Sequence, residues 1–312
     1  MISSLLERAG DLFERRFWVG YGFPTFFAAL LWLLPRLLIY GPRNAWRWWT
    51  ELGSEGGLLS PQAVVLLSSL FLITLIAYLL QAFTRPLVRL AEGYWPAWLQ
   101  RWSLPYVKRR WEALRRKRRE ALRAGEQATY ARLQEKLYYG YPPRAEWLLP
   151  TALGNTLRAA EVYARQAYGM DAPFWWPRLY PRLPQAEQAR IEDALTMMIA
   201  LLNLAALLLC VALDTAIYLL LCHQPAWSGV ALTAGLLLAW LAWQGAVIQA
   251  RSYGQRLRTA IDLHRFEVLE ALRLPLPQTP QEERALWGKL EAWLYNYDLG
   301  EAMTLRYVHP DE

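Results

Sequence analysis

"QAVVLLSSLFLITLIAYLLQAF", residues 62–83, contains no charged side chain. Crossing bilayer hydrocarbon takes about 20 apolar residues at a rise of about 1.5 Å each, and this stretch has that length. A helix on the surface of a soluble protein would show a polar face, and this run shows none. Reading it as a transmembrane helix sets the class of the whole chain.

Three more runs pass the same test of length and polarity. The first extends from about residue 17 to 40 and holds Pro24, Pro35 and Arg36. The third extends from about 194 to 222 and carries Asp214, and the fourth, about 228 to 249, is uncharged. The composition agrees, with 312 residues, 55% hydrophobic and 20% charged, and 17 tryptophans. The expected fold is all-α: a polytopic membrane protein with four transmembrane helices in two hairpins and a helical cytoplasmic region. The second hairpin closes through the short link "HQPAW". The expected organisation is an N-terminal segment with the first hairpin (1–83), a cytoplasmic helical region (84–193), the second hairpin (194–249) and cytoplasmic C-terminal helices (250–312). Cys210 and Cys222 share the third run; they define no disulfide framework and read as small hydrophobes. The N-terminal "MISSLLERAGDLFERRFW" puts acidic residues ahead of its apolar run, unlike a cleavable signal peptide.

Orientation follows from the flanking basic residues. Twelve Lys/Arg lie between Thr84 and Arg123 and four more between Arg251 and Arg265, against Arg43 and Arg47 in the first outer link and none in the second. The expected location is the bacterial inner membrane, with both termini and the central region cytoplasmic.

The cytoplasmic sequence reads as helical throughout. "RPLVRLAEGYWPAWLQRW" places Trp95, Trp98 and Trp102 at near-helical spacing, which suits a helix lying along the inner membrane surface. The basic cluster Arg115, Arg116, Lys117, Arg118 and Arg119 follows. It could attract the headgroups of anionic lipids, a nucleic acid or an acidic partner. A topogenic, solvated charge run is favoured, because no aromatics for base stacking are interleaved along the basic face. In "TALGNTLRAAEVYARQAYGM", Leu157, Ala160, Ala164 and Tyr168 share a face and Gly169 ends the helix. Asp171 caps a short turn, after which Pro177, Pro181 and Pro184 are expected to prevent a regular helix. Phe174, Trp175, Trp176 and Tyr180 would dock this cytoplasmic joint against neighbouring helices or lipid, with Arg178 and Arg182 facing phosphate or carboxylate. Beyond the fourth run, Ile261, Val268, Leu269 and Leu272 mark a further amphipathic helix. Thr279, Pro280 and Glu282 then give a capping box with proline at the first helical position.

The segments "LGNTLRAAEVYARQAYGMDAPFWWPRL…LP" and "AIDLHRFEVLEALRLPLPQTPQEERALW" resemble two recurring segments of a family of uncharacterised bacterial multi-pass membrane proteins, with an echo in "RLAEGYWP". The resemblance implies one shared cytoplasmic unit and supplies no catalytic residues. In layout alone the chain is also similar to bestrophin-type channels, with two spans, a cytoplasmic helical insert, two further spans and a cytoplasmic tail.

No HExxH, phosphate-binding glycine loop, GxSxG or CxxC occurs in the sequence, so no enzyme, cofactor or metal site is expected. His264 reads as a surface histidine on an amphipathic helix rather than a metal ligand. The intramembrane charges are the stronger signal, because a charge in hydrocarbon needs a partner or water. Asp214 lies ~12 Å and Arg36 ~6 Å inside the outer ends of their runs at helical rise, and an Arg36–Asp214 ion pair in the outer leaflet is expected. It would fix one hairpin against the other, or Asp214 would line a water-filled path. Ser68, Ser69, Thr74, Asn203 and Gln244 add polar groups that read as interhelical hydrogen-bonders or, more sharply, as pore lining. The expected function is an oligomeric pore or channel, formed or gated through a cytoplasmic assembly and sensing region. The alternatives are a non-catalytic scaffold or accessory subunit of a larger membrane complex and a membrane-disrupting defence effector. A lipid-directed enzyme ranks last. The expected partners are anionic lipid headgroups and further copies of the chain or other membrane subunits, rather than nucleic acid.

Overall fold

The structure, a computed structural model, describes residues 15–52, 60–295 and 307–308, and every regular element among them is helical. In chain order these are α1 (Arg15–Tyr40), α2 (Pro42–Leu52), α3 (Pro61–Ala82), α4 (Thr84–Glu92), α5 (Ala97–Arg123) and α6 (Gln127–Gly140). They are followed by α7 (Ala152–Tyr168), α8 (Ala172–Leu179), α9 (Gln185–Leu221), α10 (Pro225–Ala271) and α11 (Pro280–Tyr295). Four of the described helices, α1, α3, α9 and α10, are long and apolar enough to cross a membrane. The chain divides into two compact units, one from Met1–Arg89 and Thr196–Ile248, the other from Leu90–Leu195 and Gln249–Glu312.

In the first unit, α1 accommodates Pro24 by a change of helical register. Trp18–Gly22 form a π-turn directly before Pro24. In an α-helix the Gly20 carbonyl would accept the amide of residue 24, and proline has none. The missing donor comes from α9: Asn203 Nδ2 donates to the Gly20 carbonyl at 2.9 Å, with Asn203 fully buried. Thr25 Oγ1 donates to the Tyr21 carbonyl at 2.8 Å. Within the same unit, Ser228 Oγ donates to the Ala216 carbonyl, and Gly235 lies against Ala212. A Cβ at position 235 would stand 2.4 Å from the Ala212 Cβ, so this approach needs glycine. Small residues at such crossings let helices pack closely where no hydrophobic drive separates helix from lipid.

The second unit has a conventional core, which places Ala160 and Ala164 of α7, Trp175 and Leu179 of α8, Ile261 and Leu269 of α10, and Trp287 and Leu290 of α11 together. Trp175 and Trp287 are fully buried and meet edge to face at 4.9 Å. Segments far apart in sequence close around α7. Thr151 caps the helix by accepting from Gly154 N at 2.9 Å, and its hydroxyl donates to the Ala91 carbonyl. Asn155 ties down the preceding loop through Leu149 N and the carbonyls of Leu149 and Thr151. Gly154 faces the Glu92 carbonyl oxygen, which a Cβ would approach to 2.0 Å, so the chain can pass only over glycine.

Two expectations are corrected. The proline-rich connector is helical over Ala172–Leu179, because Pro173 falls in the first turn and Pro177 removes only one interior amide. The fourth apolar run and the amphipathic segment after it form one helix of 47 residues, since no proline interrupts Pro225–Ala271 after its first residue. α11 begins at the expected cap, with Glu282 N donating to Thr279 Oγ1 at 3.2 Å; the Glu282 carboxylate accepts from Gln278 N at 2.9 Å, one residue before the N-cap amide of a regular capping box.

Asn203→Leu is expected to lower stability in mild detergent by about 1–3 kcal/mol, through an unpaired buried carbonyl. In a Pro24→Ala background the loss should shrink, because residue 24 then supplies its own amide. Equal losses in both backgrounds, read from thermal unfolding midpoints, would contradict this account of the π-turn.

Candidate functional site

Arg36 lies on the last turn and a half of α1. Its Nη2 pairs with Asp214 Oδ2 of α9, and its Nη1 donates to the Trp32 carbonyl at 2.7 Å. The guanidinium also lies 3.9 Å from the centre of the Trp32 ring and 4.7 Å from that of Tyr218. Two aromatic faces and a carboxylate therefore surround the cation, an arrangement that suits a weakly hydrated planar guanidinium. The two partners differ in cover: the Arg36 side chain is 18% exposed, the Asp214 side chain 53%. Around the carboxylate, Leu213, Ile217, Leu220 and Leu221 are all exposed. The pair thus lies on an outward apolar face. Ion pairs open to water contribute about 0–1 kcal/mol, whereas a charge facing hydrocarbon costs about 2.5–3.5 kcal/mol or more.

The other polar groups of the apolar helices are placed differently. Asn203 is the interior one, committed to Gly20. Ser69 and Thr74 donate to the carbonyls of Val65 and Leu70, one turn back on their own helix. Ser68 and Gln244 are exposed, as is Cys210. The structure does not gather these residues with Asp214 into one polar stripe.

In the second unit, the residues of the aromatic connector have separate tasks. Trp175 Nε1 donates to Glu291 at 3.0 Å, Phe174 stacks on Tyr295 at 4.5 Å, and Trp176 and Tyr180 lie against the same core. Tyr180 hydrogen-bonds Glu192. Arg178, expected to face an anion, instead donates to the Phe174 carbonyl and covers the Phe174 and Trp175 rings. Arg182 is exposed. The basic cluster divides as well: Arg118 is half-buried and donates to Gln134 at 2.7 Å, Arg115 lies over the Trp111 ring, and Arg116, Lys117 and Arg119 are exposed. Trp98 and Trp102 are strongly exposed on one face of α5.

His264 is not a surface histidine. Its side chain is 13% exposed and sits between Glu267 at 2.6 Å and Glu187 at 3.0 Å. Burial alone would lower its pKa, but the hydrogen bonds to Glu267 and Glu187 and the charges of both glutamates together raise it above its ordinary value. No cluster among the described residues could hold a metal ion. Sequence reasoning missed three features of this unit. Glu187 lies 77 residues from His264, Arg265 bridges α10 to the buried Glu283 at 2.7 Å, and Arg258 is a buried arginine within an amphipathic helix. Only the spacing of Arg258 from Ile261 and Leu269 could have hinted that it faces inward.

Comparison with protein families, with curated proteins and with solved structures gives no match to this chain.

Arg36→Asp and Asp214→Arg are each expected to lose assembled protein, since an unpaired charge shielded from water costs about 3–5 kcal/mol. The double reversal should recover part of that loss in the yield of monodisperse protein, and a double variant no better than the singles would refute the pairing. For His264, the folded form holds its proton more tightly than the unfolded one. Its contribution is therefore complete below about pH 6.5 and is lost as pH rises through the raised folded pKa. The unfolding midpoint should fall across that window in the parent and stay flat in His264→Gln; parallel curves would show that His264 is not the titrating group.

Proposed function

We propose that this chain is an integral membrane protein whose copies assemble around the Arg36–Asp214 level of their spans and form or gate a pore. The supporting observation is the half-exposed carboxylate of Asp214 on an apolar helix face. A single copy facing lipid would leave that charge in hydrocarbon, and a second copy or a water-filled path resolves the cost. Four spans alone offer little interior for a transport path, and α3 buries only Ala77, so its surface too is open to lipid or to neighbouring subunits.

In this reading the spans form two hairpins. Successive contacts between α9 and α10 support the second: Ala216 with Ser228, Ala212 with Gly235 and Leu201 with Gly245, one helix descending as the other climbs. The excess of basic residues in 84–123 and 251–265 puts residues 84–193 and 250–312 on the cytoplasmic side of an inner membrane. There they act as the assembly and sensing region. The exposed Trp98 and Trp102 suit a headgroup zone.

Mass measurement of the purified protein in mild detergent should give a defined homo-oligomer, and liposomes containing it should pass ions. Asp214→Asn is expected to change that flux by about tenfold or to dissociate the oligomer, as the loss of about 1.4 kcal/mol would do. A monomer that co-purifies with other polypeptides would overturn the pore reading in favour of an accessory subunit. A stable oligomer that passes no ion would overturn it as well.

A further inference from the structure

The second unit contains a cavity of about 170 Å³ whose wall holds three arginines and no carboxylate. One water occupies about 30 Å³, so there is room for a compact polyatomic group. Arg115 and Arg118 reach the cavity from adjacent turns of α5, where a spacing of three places them on one face. Arg258 enters from α10 and is 5% exposed. Its Nη2 donates to the carbonyls of Tyr138 at 3.0 Å and Ala159 at 2.7 Å, while Nε and Nη1 are buried without a partner among the described residues.

No described carboxylate pairs with this guanidinium. Asp262, one turn further along α10, is occupied by the hydroxyls of Tyr163 and Tyr168, each at 2.8 Å. Besides the two carbonyls, the charge is met by rings, with Tyr138 at 4.2 Å, Tyr163 at 5.1 Å and Tyr139 at 5.3 Å from the guanidinium carbon. Burial pushes the Arg258 pKa down, and Tyr138 opposes that shift. A buried cation without a counter-charge and with idle donors is costly, and an anion in the cavity would remove both penalties.

We propose that this cavity binds a phosphate group, carried by a small phosphorylated molecule or by a phospholipid. Of its three arginines Arg258 is buried, Arg118 half-buried and Arg115 exposed. Three guanidiniums offer more directed donors than one carboxylate could use, and they match the oxygens and the roughly −1.5 to −2 charge of a phosphate monoester. Trp111, Tyr138 and Tyr163 provide aromatic wall for the organic remainder. The site does not depend on the membrane-pore reading, and its test reads no conductance.

The test is thermal unfolding of the full chain in mild detergent at constant ionic strength set with chloride. The soluble probes are inorganic phosphate and phenyl phosphate, and the lipid probe is dihexanoyl phosphatidic acid against dihexanoyl phosphatidylcholine. A bound anion raises the midpoint with saturation as its concentration passes Kd. Saturable stabilisation by the soluble probes identifies a phosphorylated small molecule, and stabilisation by phosphatidic acid alone identifies a lipid headgroup. The double variant Arg115→Gln, Arg118→Gln changes exposed or half-exposed residues, so it should fold, with Kd raised at least about tenfold for lost charged hydrogen bonds. Arg258→Gln should abolish the response. No saturable shift from any probe, a shift matched by added chloride, or an unchanged Kd in the double variant would each overturn the proposal.

Discussion

A carboxylate on the outside of an apolar helix is the constraint that organises the first unit. Arg36 meets it with a guanidinium held between Trp32 and Tyr218, so the cation is shielded from both sides while Asp214 stays open. The exposed side chains beside it on the same helix are leucine and isoleucine. The interior of the unit gives one clear case of a polar group answered by a neighbour. At Gly20 a proline has removed an amide, and a buried asparagine from another helix supplies the missing donor. Where water is absent, each unpaired polar group must be answered by a named neighbour.

The second unit follows the logic of a soluble domain. Its centre is the Trp175–Trp287 contact, and Glu291 and Glu283 accept from the two indole nitrogens. Charged residues at its helix crossings are paired, Arg265 with Glu283 and His264 with two glutamates, which makes the exception informative. Arg258 is more deeply buried than His264 or Arg265 and has rings and carbonyls but no acid. Each unit thus holds one charge in an unusual setting: the Asp214 carboxylate, paired with Arg36 on an exposed apolar face, and the Arg258 guanidinium, buried with no described carboxylate beside it.

Much of the fold was legible in the sequence because membrane helices are written in length and charge. The run at 62–83 is uncharged, the capping box at Thr279 and the stop at Gly169 follow local rules, and all three correspond to element ends or bodies in the structure. The Arg36 and Asp214 positions could be singled out because hydrocarbon makes any charge conspicuous. Contacts between distant residues were not legible. Glu187 and His264 each look ordinary on an amphipathic helix, and only the packing of α9 against α10 brings them together. The connector around Pro177 misled for a different reason, since a proline's cost depends on its place within the turn, and here one amide was lost. Arg258 sits in a row of basic residues that topology alone would account for.

The central claim is that the face of α9 around Asp214 meets another copy of the chain. Ile217, one turn from Asp214 and exposed, reports on it directly. With Cys210 and Cys222 replaced by alanine, the variant Ile217→Cys in native membranes should be cross-linked by a short bis-maleimide into a species of at least twice the chain mass. An exclusively monomeric variant, whose introduced thiol is labelled by a hydrophobic maleimide and never cross-linked, would contradict the account.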